Sequence, residues 1–145
     1  MTLNLRAIEV FKPYSNEFPE QLLIDAGSSD SQIERWQAAP IVRITKLDEE
    51  IMGVYAMARD EVPGVNGLRF ELYGLVTAPN VRRQGLGRWL LGHAIGVAES
   101  KGGRHLWIDQ TGGSRLFSRV GFVPVQADGV AKTASGMLQF DMIPE

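Results

Sequence analysis

The stretch Leu75-Val-Thr-Ala-Pro-Asn-Val-Arg-Arg-Gln-Gly-Leu-Gly-Arg88 leads from an apolar strand, through a proline-bearing turn, into the start of a long helix. Gly85 and Gly87 fall where that helix begins, with Arg82, Arg83 and Arg88 around them. A helix start leaves about four backbone N–H groups without partners and a partial positive charge of roughly half a unit. Glycines let an anion approach the backbone, and the arginines add counter-charge. The combination predicts a pocket for phosphate oxygens. Two common phosphate motifs are excluded. Gly85-x-Gly87-x-x-Leu90 lacks the third glycine of a dinucleotide fingerprint, and no Gly-Lys-Ser/Thr follows.

Upstream, Leu68 to Val76 is an apolar-rich strand, and downstream Gly85 to Lys101 is predicted as a helix. Leu86, Leu90, His93 and Val97 form one stripe of that helix, flanked by Trp89 and Ile95, and Gly102-Gly103 ends it. Before these come an alternating strand pattern over Leu3 to Phe11 and two short helices, Phe18 to Ala26 and Ser31 to Ala38, the second with Ser29 or Asp30 as N-cap. A hairpin follows, Pro40 to Leu47 and Glu50 to Arg59, turning at Asp48-Glu49. The loop Glu61 to Gly67 carries Pro63, Gly64 and Gly67. Beyond the long helix, His105 to Asp109, Phe122 to Gln126 and Met137 to Ile143 are predicted strands, and Ser114 to Val120 a helix closed by Gly121. This order predicts an α/β (α+β) fold with a mixed, mostly antiparallel central sheet of about seven strands flanked by about four helices. No composition shift marks a linker, so residues 1–145 are read as one domain.

The totals narrow the function classes. The chain has 145 residues, 44% hydrophobic and 22% charged, a globular composition. Its formal net charge of −2 supplies no positive field for nucleic acid or an anionic membrane. There are no cysteines, hence no disulfide, thiolate zinc site or cysteine nucleophile. Two histidines without a tight carboxylate cluster make no metal site. The opening residues lack the apolar core of a signal peptide, and no run approaches the ~18 apolar residues of a membrane helix. The expected location is the cytoplasm.

The pattern Val76-x-x-Pro79-x-x-Arg82-x-x-Gly85-x-Gly87 before a long helix resembles motif A of the GCN5-related N-acetyltransferase (GNAT) superfamily. Downstream, Gln110…Ser114-Arg-Leu-Phe-Ser-Arg-Val-Gly-Phe122 resembles its motif B, in the expected order and separation. The resemblance implies that backbone N–H groups of Arg83, Gln84, Gly85, Leu86, Gly87 and Arg88, with Arg82 beside them, grip the pyrophosphate of acetyl-coenzyme A. It implies that Leu75, Val76 and Thr77 pair with the pantetheine arm, and that the N–H of Val76 polarises the thioester carbonyl. Gln110 stands where the family often has Asn, and Phe117 where it usually has a tyrosine that protonates the leaving thiolate. Acetyl-coenzyme A is the implied cosubstrate, with no metal.

The implied chemistry is attack by a neutral amine on a thioester. An alkyl ammonium has pKa ~10, so a base must take its proton. Glu71 stands before motif A at the spacing where the histone-acetyltransferase branch of the superfamily has a glutamate base. The plain alternative is a strand glutamate paired with Arg69 or Arg43. Tyr73, on the same strand face, is a second catalytic candidate. A phenyl ring at Phe117 cannot donate a proton. The thiolate then leaves unaided (its pKa is ~8–9), another hydroxyl such as Tyr73 or Ser118 substitutes, or the protein binds acyl-coenzyme A without turnover and regulates a partner protein.

His93 reads as a structural residue on the apolar stripe, and His105 as a surface residue. Trp36, Trp89 and Trp107 read as packing rather than a base-stacking platform. Acceptor pockets in the family come from the first two helices, the loop Glu61 to Gly67 and the segment Ala127 to Gly136. The first region carries Glu17, Glu20, Asp25, Asp30 and Glu34, and Asp60 and Glu61 adjoin the loop. An acidic rim favours a cationic small-molecule or protein amine; a solvated acidic surface is the plain alternative. The resemblance also allows a homodimer, for which no surface is singled out.

Overall fold

A short first strand and a long second one follow from where proline falls. In the computed structural model, which describes residues 4–60, 68–109, 115–124 and 137–142, β1 is only Val10–Phe11 and pairs antiparallel with β2 (Ile41–Leu47). The register matches Val10 with Thr45 and Phe11 with Ile44, so its continuation would set Pro13 against Val42. Proline has no N–H to offer. The Val42 carbonyl instead accepts from the Arg43 guanidinium at 2.9 Å.

The strand expected over Leu3 to Phe11 is therefore corrected. Leu5–Ala7 is a 3-10 turn whose N-cap, Asn4, accepts a hydrogen bond from the Arg6 N–H. A side chain that bonds the nearby backbone offers an alternative to a sheet ladder.

The remaining elements are α1 (Glu20–Asp25), α2 (Asp30–Gln37), β3 (Glu50–Asp60), β4 (Leu68–Thr77), α3 (Leu86–Ser100), β5 (Gly103–Asp109), α4 (Arg115–Val120), β6 (Val123–Pro124) and β7 (Met137–Asp141). Among the described residues the seven strands form one mixed, mostly antiparallel sheet in the order β1-β2-β3-β4-β5-β7-β6, with β4 and β5 parallel. Four α-helices accompany it among those residues, none long and apolar enough to cross a membrane. By internal contacts the chain divides into two compact units: Met1–Ala58 with Tyr73–Gly92, and Arg59–Leu72 with His93–Glu145.

In the first unit, Ser29 caps α2 through a box with Gln32, and Ile33 and Trp36 turn inward one helical turn apart. They meet Leu23 of α1 and Ile44, Val54 and Ala56 of the sheet in one buried cluster. The hairpin turns at Asp48 and Glu49, both with positive φ (51° and 72°), as a tight two-residue turn with the strands' twist requires. Gly53 lets α3 approach β3: a Cβ there would lie 2.6 Å from a Leu90 methyl. Of the predicted stripe Leu86 and Leu90 are buried, whereas His93 and Val97 are half-buried and Leu91, Ala94 and Ala98 are buried in their place.

In the second unit, Gly103 performs the same service for the far end of α3. A Cβ there would sit 2.7 Å from the Ala98 carbonyl oxygen. Phe70, Leu72, Leu106 and Ile108 are buried in this unit. Gly121 has φ +120°, and the Phe122 N–H reaches back to the Phe117 carbonyl at 2.9 Å, which closes α4. Phe122 then packs between Phe117 (5.4 Å, edge-on) and Phe140 (5.3 Å).

Candidate functional site

Pro79 turns the chain out of β4. The Ala78 N–H bonds the Met52 carbonyl at 2.8 Å, and a 3-10 turn, Pro79–Val81, follows with Val81 fully buried. Two left-handed residues come next, Arg83 (φ +66°) and Gly85 (φ +86°), and then α3 begins. Alternation of this kind aims successive N–H groups into a concavity. The bond from the Trp89 N–H to the Gly85 carbonyl (3.0 Å) belongs to the first turn, so the N–H groups of Leu86, Gly87 and Arg88 lie ahead of it. Arg82, Arg83 and Arg88 are exposed and, among the described residues, none is in an ion pair. Buried Leu86 can offer only its backbone outward; Gln84 and Gly87 are half-buried.

Leu75, Val76 and Thr77, all half-buried, lead into this turn. The last registered pair between β4 and β5 is Leu72 with Ile108, and β4 continues past it as Tyr73–Thr77. Gly74 lies within the strand just past that last pair with φ +151°, and a Cβ there would be 3.1 Å from the Trp36 ring. A lone glycine inside a strand pattern is the signal that would have found this irregularity. Beside it, the Arg35 guanidinium lies 3.7 Å from the centroid of the Tyr73 ring. Nothing in the spacing of residues 35 and 73 foretells that contact.

In the second unit, Glu71 is half-buried and registered opposite Trp107. Arg69, offered as a partner for Glu71, is committed elsewhere. Its Nε donates to Asp60 Oδ2 at 2.8 Å, its Nη2 to the same oxygen, and its guanidinium stacks 3.7 Å from the Trp107 ring. Phe117 is buried against Phe122. Gln110 lies outside the described residues, as do Glu61 to Gly67 and Ala127 to Gly136.

His105, read as a surface residue, is half-buried with its Nδ1 2.7 Å from Asp141 Oδ1. Burial would raise the Asp141 carboxyl; hydrogen bonds from His105 and Gln139 outweigh it and hold the group below its usual range. Two members of the expected acidic rim are neutralised: Glu17 by Lys46 and Asp60 by Arg69. Two surface depressions of the first unit, about 330 and 790 Å³, include none of the residues from Leu75 to Arg88. The groups suited to an anion lie at the start of α3 instead. No cluster among the described residues would hold a metal ion.

The fold recurs in solved structures. The structure is similar to an IAA acetyltransferase from Bacillus cereus (TM-score 0.74, 19% identity, 94% of this chain and 100% of that one). It is also similar to a GNAT family acetyltransferase from Elizabethkingia anophelis with acetyl-CoA bound (TM-score 0.68, 21% identity, 93% and 98%). A third is a GNAT family N-acetyltransferase from Escherichia coli in complex with CoA (TM-score 0.73, 20% identity, 92% and 79%). At these identities the likeness is one of fold. A comparison with curated proteins returns no match. The profile of the Acetyltransferase (GNAT) family matches residues 4–122, and the chain belongs to that family.

Proposed function

We propose that this chain binds acetyl-coenzyme A at the start of α3 and transfers the acetyl group to a primary amine of a small molecule or protein. The observation that carries the reading is the turn from Arg82 to Arg88. Two left-handed residues, three exposed arginines and three N–H groups ahead of the first helical bond fall within these seven residues. A pyrophosphate brings the complementary charge and acceptors. The relatives from Elizabethkingia anophelis and Escherichia coli, solved with acetyl-CoA and with CoA, support the choice of ligand.

Leu75, Val76 and Thr77 present strand backbone to the pantetheine arm, and the Val76 N–H faces the thioester oxygen, where negative charge develops during attack. Glu71 accepts the proton of the incoming amine, and Tyr73 lines the acceptor side of the strand. Gln110 and Phe117 complete the cofactor set as the family pattern has it.

A second reading is favoured by Phe117, whose ring is buried against Phe122 and carries no hydroxyl. In that reading the protein binds acyl-coenzyme A, turns nothing over and regulates a partner. Release of free coenzyme A over a panel of amines separates the two. Turnover supports the transferase; saturable binding of acetyl-coenzyme A without release over the whole panel supports the silent regulator.

A further inference from the structure

We infer that the first unit carries a second binding site, for a small aromatic carboxylate, in the depression of about 330 Å³ beside β2, with Lys12 as the counter-charge. This site is independent of the turn at Arg82 to Arg88: no residue from Leu75 to Arg88 lines it.

The space exists because the chain cannot stay paired with β2. Continued register would set Pro13 against Val42, and proline has no N–H to give. The chain passes instead into the 3-10 turn Ser15–Glu17. That turn is held by the Glu17 N–H on the Tyr14 carbonyl (2.8 Å), the Tyr14 N–H on Glu17 Oε1 (3.0 Å) and the Glu17–Lys46 ion pair. On the other side α2 ends at Gln37, and Ala39-Pro40 leads into β2. Both segments line the pocket. Its floor is firm, because Phe18, Ala39 and Val42 pack against the buried cluster of Leu23, Ile33, Trp36 and Ile44. An added peptide strand does not suit this edge, since the Val42 carbonyl already accepts from Arg43.

The walls select the ligand. The rings of Phe18 and Tyr14 and the flat faces of Pro13 and Pro40 suit an aromatic ring. The volume lies at the small end of the range for ligand pockets, about 300–1,000 Å³, which fits one ring with a short chain. The charge is one-sided. Lys12 lines the pocket, and among the described residues it has no ion pair, hydrogen bond or ring contact. No aspartate or glutamate is among the described lining residues. The carbonyl end of α2 at Gln37 is partly negative. An anion therefore belongs with the Lys12–Ser15 segment, where the Ser15 hydroxyl adds a donor. An ammonium ligand would meet Lys12 with no acid to offset it.

The test titrates benzoate, phenylacetate and 3-phenylpropionate, each beside its neutral amide, into isotopically labelled protein followed by two-dimensional amide NMR. The expected result is saturable movement of the Ser15, Gln37, Ala39 and Val42 signals, with a Kd of about 0.1–1 mM for the best acid. Its amide should bind about 3- to 10-fold more weakly, and Lys12→Met should weaken the acid by the same factor. Lys12→Arg, which keeps the charge, should retain it. Lys12 is exposed, so Lys12→Met should fold as the wild type does. Ala39→Leu, which fills the floor, should remove binding of acid and amide alike. Acetate, a carboxylate without a ring, should leave these signals in place. No saturable movement with any of the three acids to about 10 mM overturns the inference. So does equal binding of acid and amide, an affinity unchanged in Lys12→Met, or binding kept in folded Ala39→Leu. Displacement of the acid by acetyl-coenzyme A overturns it too, since that places the acid at the start of α3. If acetyl-coenzyme A itself fails to bind, the transferase reading falls, and the same acid titrations still decide this site.

Discussion

The same chemical change, Gly→Ala, should have opposite signs at two positions close together in the chain. At Gly85, φ is +86°, a region that costs an L-residue about 1–2 kcal/mol. The new methyl would also stand 3.3 Å from a Leu5 methyl, a flexible end that yields at little further cost. At Gly92, on the exposed face of α3, a Cβ meets nothing within 4 Å, and alanine is favoured over glycine by about 0.5–1 kcal/mol in a helix. For a chain of this size each kcal/mol moves the midpoint by about 3–4 °C. Gly85→Ala should therefore melt about 3–8 °C below the wild type and Gly92→Ala about 1–4 °C above it, followed by far-UV circular dichroism. Under the proposed reading, acetyl-coenzyme A should stabilise the wild type and Gly92→Ala alike and Gly85→Ala much less, because Gly85 directly precedes the N–H groups proposed to meet the pyrophosphate. A neutral or stabilising Gly85→Ala would refute the left-handed turn and the anion pocket built on it.

Three further outcomes follow from other parts of the structure. Gly103→Ala places a methyl 2.7 Å from the Ala98 carbonyl, so helix and strand must part; the urea midpoint should drop by the equivalent of about 1–3 kcal/mol, and an unchanged midpoint would contradict the packing. Glu71→Gln should lower kcat by about 100-fold or more while leaving the affinity for acetyl-coenzyme A near the wild-type value; unaltered rates across the pH range would remove Glu71 from the role of base. The Asp141 carboxyl is held below its usual 3.8 in the folded chain. Its contribution to stability is therefore present above that value and lost as pH falls through the folded-state value. Urea midpoints should fall less steeply on acidification in Asp141→Asn than in the wild type, and identical slopes would count against the His105–Asp141 contact.

What the sequence discloses here depends on how local the cause is. The strand–turn–helix around Arg82 to Arg88 is legible because proline, two glycines and a 3.6-residue apolar stripe act on the chain nearby. Leu3 to Phe11 misleads for the same reason in reverse: its alternation suits a strand, but the Asn4 cap and Pro13 reduce the strand to two residues. Arg35 over Tyr73, and His105 against Asp141, join residues far apart in the chain, and no periodicity encodes them. Arg69 shows the same limit. Its neighbour in sequence, Glu71, was the natural partner, yet the tertiary fold gives it Asp60 and the Trp107 ring. Gly74 lay within reach, since a glycine amid Leu72, Tyr73, Leu75 and Val76 already signals an irregularity in the strand.

Titration calorimetry of the purified protein with acetyl-coenzyme A, repeated on Gly85→Glu, addresses the central claim without depending on any acceptor. The wild type should give a saturable heat with one ligand per chain, and Gly85→Glu, with a carboxylate in the phosphate seat, should give none at the same concentrations. Absence of heat from the wild type at millimolar ligand, or equal heat from both proteins, would contradict the account.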